Sequence, residues 1–284
     1  MTVKELYKDI KRKVGKNQAK PLLNDLVKDA KTYREIQETS FRKWSKNERQ
    51  IKESLDALNL FRVKQPLPMV LALMHAYEAG QLKLGQVQDM LRTIEDFHFL
   101  FTAITSQRSS GGISFMYALH ARNLLNATDT NTRGRVLNEL KRKLKDKLPP
   151  YEEFVANFSL LSFTDEFTKQ KRLIQYVLSK IDRKHSGGVA VDYDQMTIEH
   201  ITPQSDSSVS REVIGNVGNL LLCESNFNSN QLAAKSFPEK KKLLAKSGIK
   251  LDPPLKDSTK WKEAEIASRA AWMAKVAFTK VWKM

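Results

Sequence analysis

The chain contains very little cysteine and no long apolar run. Its 284 residues include a single cysteine, Cys223, which excludes an internal disulfide and any zinc site built on several cysteine thiolates. No apolar segment is long enough to span a membrane, and the charged opening Met1–Lys8 differs from a secretory signal peptide. We therefore expect a cytoplasmic protein whose small elements are held by packing alone.

Nucleotide-binding motifs and acidic residues are also scarce. No Gly-rich phosphate loop of the Gly-x-x-x-x-Gly-Lys-Ser/Thr kind occurs. The chain has 32 Asp and Glu residues but 48 Lys and Arg residues, which gives a net charge of +16 and a pI near 9.7. A pI above about 9 is typical of nucleic-acid-binding proteins, because a basic surface attracts the phosphate backbone. The charge balance favours a nucleic acid as partner.

The basic excess is concentrated near the C-terminus. Residues 231–284 contain 13 Lys and Arg against 5 Asp and Glu. We predict that lysines at the start of this stretch bind DNA phosphates, which positions a protein without reading sequence. The alternative is a helix face that is merely solvated. The predicted phosphate-binding residues are Lys235, Lys240, Lys241, Lys242 and Lys246.

The first part of the chain has the pattern of helices. Pro66–Gly80 begins with prolines and ends with glycine, which predicts one buried helix. Phe167–Arg183 places Val177 and Ile181 on one face of a second helix. The polar, glycine-containing stretch 185–188 then predicts a linker between a helical domain, residues 1–186, and a second domain, residues 187–284.

The most informative motif lies in the second domain. Thr197–Gln204 reads Thr-Ile-Glu-His-Ile-Thr-Pro-Gln, an apolar-flanked Glu-His pair that ends in proline. Gly218–Asn228 reads Gly-Asn-Leu-Leu-Leu-Cys-Glu-Ser-Asn-Phe-Asn, an apolar run that ends in an Asn-rich turn. This order, with a Lys-rich helix after it, is the layout of a one-metal nuclease hairpin.

These residue types suit the hydrolysis of a phosphodiester. The reaction needs a base for the attacking water and a cation for the charge that builds on the phosphate. His200 suits the first task because its ordinary pKa lies near neutrality. Glu199 and Asn228 suit the second, since Mg²⁺ takes oxygen ligands, and Mn²⁺ or another divalent ion can substitute.

Strand geometry tests this assignment. Thr197–Thr202 predicts a strand, on which neighbouring side chains point to opposite faces. Glu199 and His200 therefore diverge, and they share one site only if the strand bends or the metal lies at its edge. Pro203 is consistent with a strand that ends or kinks there. The alternative interpretation is an ordinary strand end with a hydrogen-bonded histidine, followed by Asn residues that only form a turn.

Several segments together resemble the C-terminal nuclease domain of GmrSD-type restriction enzymes, which belong to the broader His-Me finger (HNH) nucleases. The resemblance implies that His200 is the general base and that Glu199 and Asn228 match metal-ligand positions. It also implies that Asn219 holds the loop. The segments that carry the resemblance are Ile198–Pro203, Ile214–Leu222, Asn228 and Lys235–Lys240.

Pattern and resemblance together predict a mainly α protein with a small α+β element, in which a helical domain precedes a ββα-metal hairpin and C-terminal helices. The implied function is a metal-dependent endonuclease that restricts foreign, modified duplex DNA. Full-length relatives carry an N-terminal nucleotide-hydrolysing sensor domain, so we expect a split subunit or an excised C-terminal fragment here. Two alternatives stay open: a DNA-binding module with weak or no catalysis, and an HNH-type nuclease that cuts RNA.

Overall fold

The computed structural model describes residues 3–106, 111–187, 192–228, 232 and 235–284. Within these ranges the chain is mainly helical with one two-stranded antiparallel sheet, which confirms the predicted class. Its helices are α1 (Val3–Lys13), α2 (Lys16–Gln37), α3 (Arg49–Leu60), α4 (Leu67–Glu78), α5 (Leu84–His98), α6 (Gly111–Asn126), α7 (Thr130–Lys145), α8 (Tyr151–Phe158), α9 (Lys171–His185), α10 (Arg211–Gly215), α11 (Ser225–Phe227), α12 (Phe237–Lys246), α13 (Pro253–Asp257) and α14 (Glu263–Val276). Its strands are β1 (Met196–His200) and β2 (Leu220–Glu224).

The structure contains the two helices that the sequence predicts, and one of them begins later than predicted. Helix α4 begins after Pro66, and Gly80 follows it with a φ of 69°, a left-handed conformation that favours glycine. Helix α9 begins four residues later than predicted because Thr164 and Phe167 exchange backbone hydrogen bonds of 3.2 and 3.1 Å, which form a turn. Gly187, with a φ of 75°, follows α9 in the predicted linker, and Gly188 lies outside the described residues.

The chain divides into two compact units. The first comprises Met1–Asn59, Lys64–Arg92 and Ser109–Arg142. Its central helix is α4, which packs against α2 and α6. Helix α4 is apolar on most of its faces and buries Met69 and Leu73 completely, as expected of a helix surrounded by others.

The second unit comprises Leu60–Val63, Thr93–Arg108 and Lys143–Met284, and it contains the hairpin β1–β2. One hairpin face packs Ile198 and Leu220 into a core with α8, α9 and α14. The other face packs Leu221 and Cys223 into a core that includes α12. Burial on both faces explains the continuous apolar run of β2. The predicted domain boundary between residues 186 and 187 stays a prediction.

No helix in the described part of the chain combines the length and apolar character that membrane crossing requires.

Gly218 allows the start of β2 to lie against helix α14. A Cβ atom at this position would lie 2.1 Å from the carbonyl oxygen of Ile266 and 3.0 Å from the amide nitrogen of Ala270. Arg269 reinforces the contact, since its Nη1 donates to the carbonyl oxygens of Gly218 and Leu220 at 2.9 and 2.8 Å. The glycine of the Gly-Asn motif is therefore required by a close approach between two backbones.

We predict that Gly218→Ala lowers the free energy of unfolding by about 1–3 kcal/mol or more, because the added methyl group overpacks a backbone contact. Urea denaturation would measure this loss. Gly134→Ala is the matched control, because nothing lies within 4 Å of its added Cβ and alanine is favoured inside helix α7. Equal stability of wild type and Gly218→Ala would contradict the described packing.

Candidate active site

The end of β1 sends its side chains to opposite faces, as strand geometry predicts. In the antiparallel register His200 lies opposite Leu220 and Glu199 lies opposite Leu221. The ring of His200 stacks on Phe163, with centroids 5.7 Å apart. The carboxylate of Glu199 instead binds a lysine that reaches β1 from helix α12. The predicted Glu-His pair therefore occupies two different environments.

The imidazole of His200 is oriented by a backbone carbonyl. Its Nε2 lies 2.9 Å from the carbonyl oxygen of Phe163. A carbonyl oxygen only accepts, so Nε2 carries the proton and Nδ1 is left with its lone pair. Phe163 is itself held by a hydrogen bond of 2.9 Å from its amide to the carbonyl of Gly215. Phe163 could not be predicted from the sequence, because a backbone carbonyl is present in every residue and leaves no signal in residue type.

The surroundings of His200 favour the neutral form of its imidazole. The side chain is only 5% exposed, and burial lowers its pKa below the ordinary value. The hydrogen bond to Phe163 and the charge of Asp165 oppose this shift, whereas Lys240 adds to it. A neutral imidazole with a free nitrogen is the form that a general base requires.

Glu199 and Lys240 form a buried ion pair. The Lys240 ammonium donates to Glu199 Oε1 and, at 2.7 Å, to the carbonyl oxygen of His200. Lys240 is 1% exposed and Glu199 is 7% exposed. Burial raises the pKa of Glu199, and the hydrogen bond and charge of Lys240 oppose that rise. This position differs from the surface role that we predicted for Lys240, whose ammonium is not available to DNA in this arrangement.

The start of α12 explains why Lys240 points inward. Ser236 caps the helix, and Glu239 bonds back to the Ser236 amide at 3.0 Å, which forms a capping box. Lys240 then lies one turn after Phe237 and one turn before Leu244, on the apolar face of the helix. That spacing was present in the sequence and could have identified Lys240 as a buried residue.

The other predicted phosphate-binding lysines have different surroundings. Lys235, Lys242 and Lys246 are exposed. Lys241 is half-buried, donates to the carbonyl oxygen of Ser258 at 2.7 Å and lies near the ring of Phe237. The structure therefore leaves three of the five lysines fully available to a polyanion.

Asn228 lies beside β1, at the end of helix α11. Its Nδ2 donates to Thr197 Oγ1 and to the carbonyl oxygen of Ile198, both at 3.3 Å. Because the amide nitrogen faces the strand, Oδ1 is the atom that can serve another partner. Residues 229–231, which follow Asn228, lie outside the described part of the chain.

Asn219 uses all of its hydrogen-bonding capacity inside the protein. Its Nδ2 donates to the carbonyl oxygens of Thr202 and Ile214 at 3.1 and 2.8 Å. Its Oδ1 accepts from the Thr202 amide at 2.8 Å and from Trp261 Nε1 at 3.1 Å. A side chain with two donors and two lone pairs has nothing left for a ligand. Asn219 therefore holds the loop that follows β1.

Pro203 lies three residues beyond the end of β1, where the loop turns. Its carbonyl oxygen accepts from the Asp206 amide at 3.0 Å. The next residue, Gln204, fastens the loop by donating from Nε2 to Asp165 Oδ2 at 3.0 Å. The loop is thus tied to the segment that carries Phe163.

The predicted metal ligands fit a divalent ion only in part. Asn228 Oδ1 is an oxygen ligand of the kind that Mg²⁺ takes. The charge of Glu199 is already balanced by a buried ammonium, so Glu199 does not fit as a ligand in this arrangement. Among the residues that the structure describes, no three His, Cys, Asp or Glu side chains are grouped so that they could hold a metal ion.

A search of curated proteins finds no match to this chain. The family model of the GmrSD restriction endonucleases, C-terminal domain, matches residues 149–276. The matched span includes α8, α9, both strands, α12 and α14, together with every predicted site residue. Residues 149–276 are therefore similar to the C-terminal domain of the GmrSD restriction endonucleases.

Proposed function

We propose that this protein is a DNA endonuclease that hydrolyses a phosphodiester bond with His200 as general base. The observation that carries the proposal is the hydrogen bond of 2.9 Å between His200 Nε2 and the carbonyl oxygen of Phe163. It assigns the free lone pair to Nδ1. The family match and the net charge of +16 support DNA as the substrate.

In the proposed reaction, Nδ1 of His200 takes a proton from water as the water oxygen bonds to phosphorus. The bond between phosphorus and the 3′ oxygen breaks, and the leaving oxygen takes a proton from solvent. Nε2–H remains bonded to the Phe163 carbonyl, whose partial negative charge stabilises the imidazolium that forms. The proton on Nε2 therefore stays in place while Nδ1 accepts the proton from water.

We propose Mg²⁺ as the cofactor, with Mn²⁺ able to replace it. When bound, such an ion neutralises negative charge on the phosphate. Asn228 is the residue of this chain that we propose to hold it. The proposed biological setting is cytoplasmic restriction of foreign, modified DNA, together with a nucleotide-hydrolysing sensor domain or subunit.

The first prediction concerns the base. We expect His200→Gln to slow nicking of supercoiled plasmid by a factor on the order of 10²–10⁴, with DNA affinity nearly unchanged. Glutamine can still donate to the Phe163 carbonyl, but it has no nitrogen that accepts a proton. Single-turnover nicking assays and filter binding would measure the two effects, and thermal melting would verify folding.

Nicking by His200→Gln within a few-fold of wild type would remove the nuclease assignment at this site. A parallel incubation with RNA separates the alternative substrate, because preferential RNA cleavage would favour an RNA nuclease. Binding of DNA without cleavage of either polymer by the wild type would favour a non-catalytic module.

The second prediction concerns the metal. EDTA should stop cleavage by the wild type, and Asn228→Ala should require a higher Mn²⁺ concentration for the same rate, since it loses an oxygen ligand. Asn226→Ala is the matched control, because Asn226 is an exposed residue of the same turn. Undiminished cleavage in EDTA would defeat the metal proposal.

The third prediction concerns the exposed lysines. Replacing Lys235, Lys242 and Lys246 together with Ala should weaken binding to any DNA sequence about equally and reduce the salt slope by roughly one unit per lost phosphate contact. Lys11→Ala, Lys16→Ala and Lys20→Ala, combined, form a control with the same charge loss at exposed positions. Unchanged affinity in the first triple variant and weaker binding in the second would place the DNA surface on α1 and α2.

A further inference from the structure

The ammonium of Lys240 is buried beside Glu199, the acidic residue of the predicted metal site. The Lys240 ammonium contacts two groups of β1, the carboxylate of Glu199 and the carbonyl oxygen of His200. The second contact is with the backbone of the residue that carries the proposed base. One side chain of α12 thus joins the acidic residue and the strand end.

Burial makes the two charges dependent on each other. A charged group inside a protein is costly unless it is paired, and removal of one partner leaves the other charge uncompensated. Both side chains are almost fully buried. Lys241 and Lys242, the next residues of α12, have no carboxylate partner among the hydrogen bonds and ion pairs described. Of the three consecutive lysines 240–242 that the structure describes in α12, Lys240 is the one whose ammonium bonds to the hairpin.

We propose that the Lys240 ammonium is the permanent counter-ion of Glu199 and that Lys240 is a positioning residue for the reaction. Its ammonium, not a divalent ion, balances Glu199, and its bond to the His200 carbonyl fixes the end of β1. The positioning role rests on the proposed function of His200. A divalent ion is then left to Asn228 and the DNA phosphate, and Glu199 serves to hold Lys240.

A double-mutant cycle tests the pairing. Lys240→Met and Glu199→Gln should each lower the melting temperature of the full chain by on the order of 10 °C, because each leaves a buried group of the pair uncompensated. The combined variant should recover most of that loss, since no unpaired charge remains. Lys242→Met is the control and should melt like the wild type. Additive losses in the combined variant would overturn the pairing.

Mn²⁺ titration tests whether Glu199 is a metal ligand. Free Mn²⁺ would be measured by electron paramagnetic resonance as Mn²⁺ alone is added to the wild type and to the combined variant. Equal binding curves are expected, because Glu199 is not a ligand in the proposal. A Kd for Mn²⁺ at least tenfold higher in the combined variant would show that Glu199 binds the ion and would overturn the inference.

The ring of His200 reports on positioning without any cleavage assay. Nitrogen NMR of the imidazole should show the Nε2–H tautomer in the wild type and a mixture in the combined variant, because the end of β1 is no longer fixed. The same single tautomer in both would overturn the positioning role. Absence of nuclease activity in the wild type would instead refute the proposed function, and it would leave the pairing and metal results intact.

Discussion

The site depends on one constraint, which is that the hairpin β1–β2 is buried on both faces. Apolar side chains of one face enter the core with α8, α9 and α14, and those of the other enter the core with α12. Polar groups at the end of β1 therefore have little water to bind, and each must find its partner within the protein. This requirement explains the hydrogen-bond partners of Glu199, His200 and Asn219, which are all buried.

Three polar residues of the motif meet the constraint in different ways. His200 donates to a backbone carbonyl, and burial lowers the pKa of its imidazole. Glu199 is held by the Lys240 ammonium. Asn219 satisfies all of its donors and acceptors with the loop and with Trp261. Of these three residues, only His200 keeps a nitrogen lone pair without a partner, which is why we propose it as the general base.

Helix α14 packs against the residues that lead into β2 and bonds to them through Arg269. The backbone of α14 lies close against Gly218. Arg269, a residue of α14, donates to the carbonyl oxygens of Gly218 and Leu220, which flank Asn219. The Nε of Arg269 also donates to Asp252 Oδ2 at 2.8 Å. The Gly-Asn motif is therefore a structural pair, in which the glycine admits the helix and the asparagine ties the loop. A catalytic interpretation of Asn219 is unnecessary.

The sequence alone determined the helical class, the strand that carries His200, the divergence of His200 from Glu199 and the similarity to the GmrSD C-terminal domain. Periodicity, glycine and proline signals and motif order are local properties, so the sequence displays them directly. Tertiary structure decided the rest. The Phe163 carbonyl and the burial of Lys240 depend on segments 37 and 40 or more residues apart in the chain, and no local pattern fixes such a pairing. The basic charge of the segment predicted Lys240 to be a surface lysine like Lys242. Its position on the apolar face of α12 instead places its ammonium in the core.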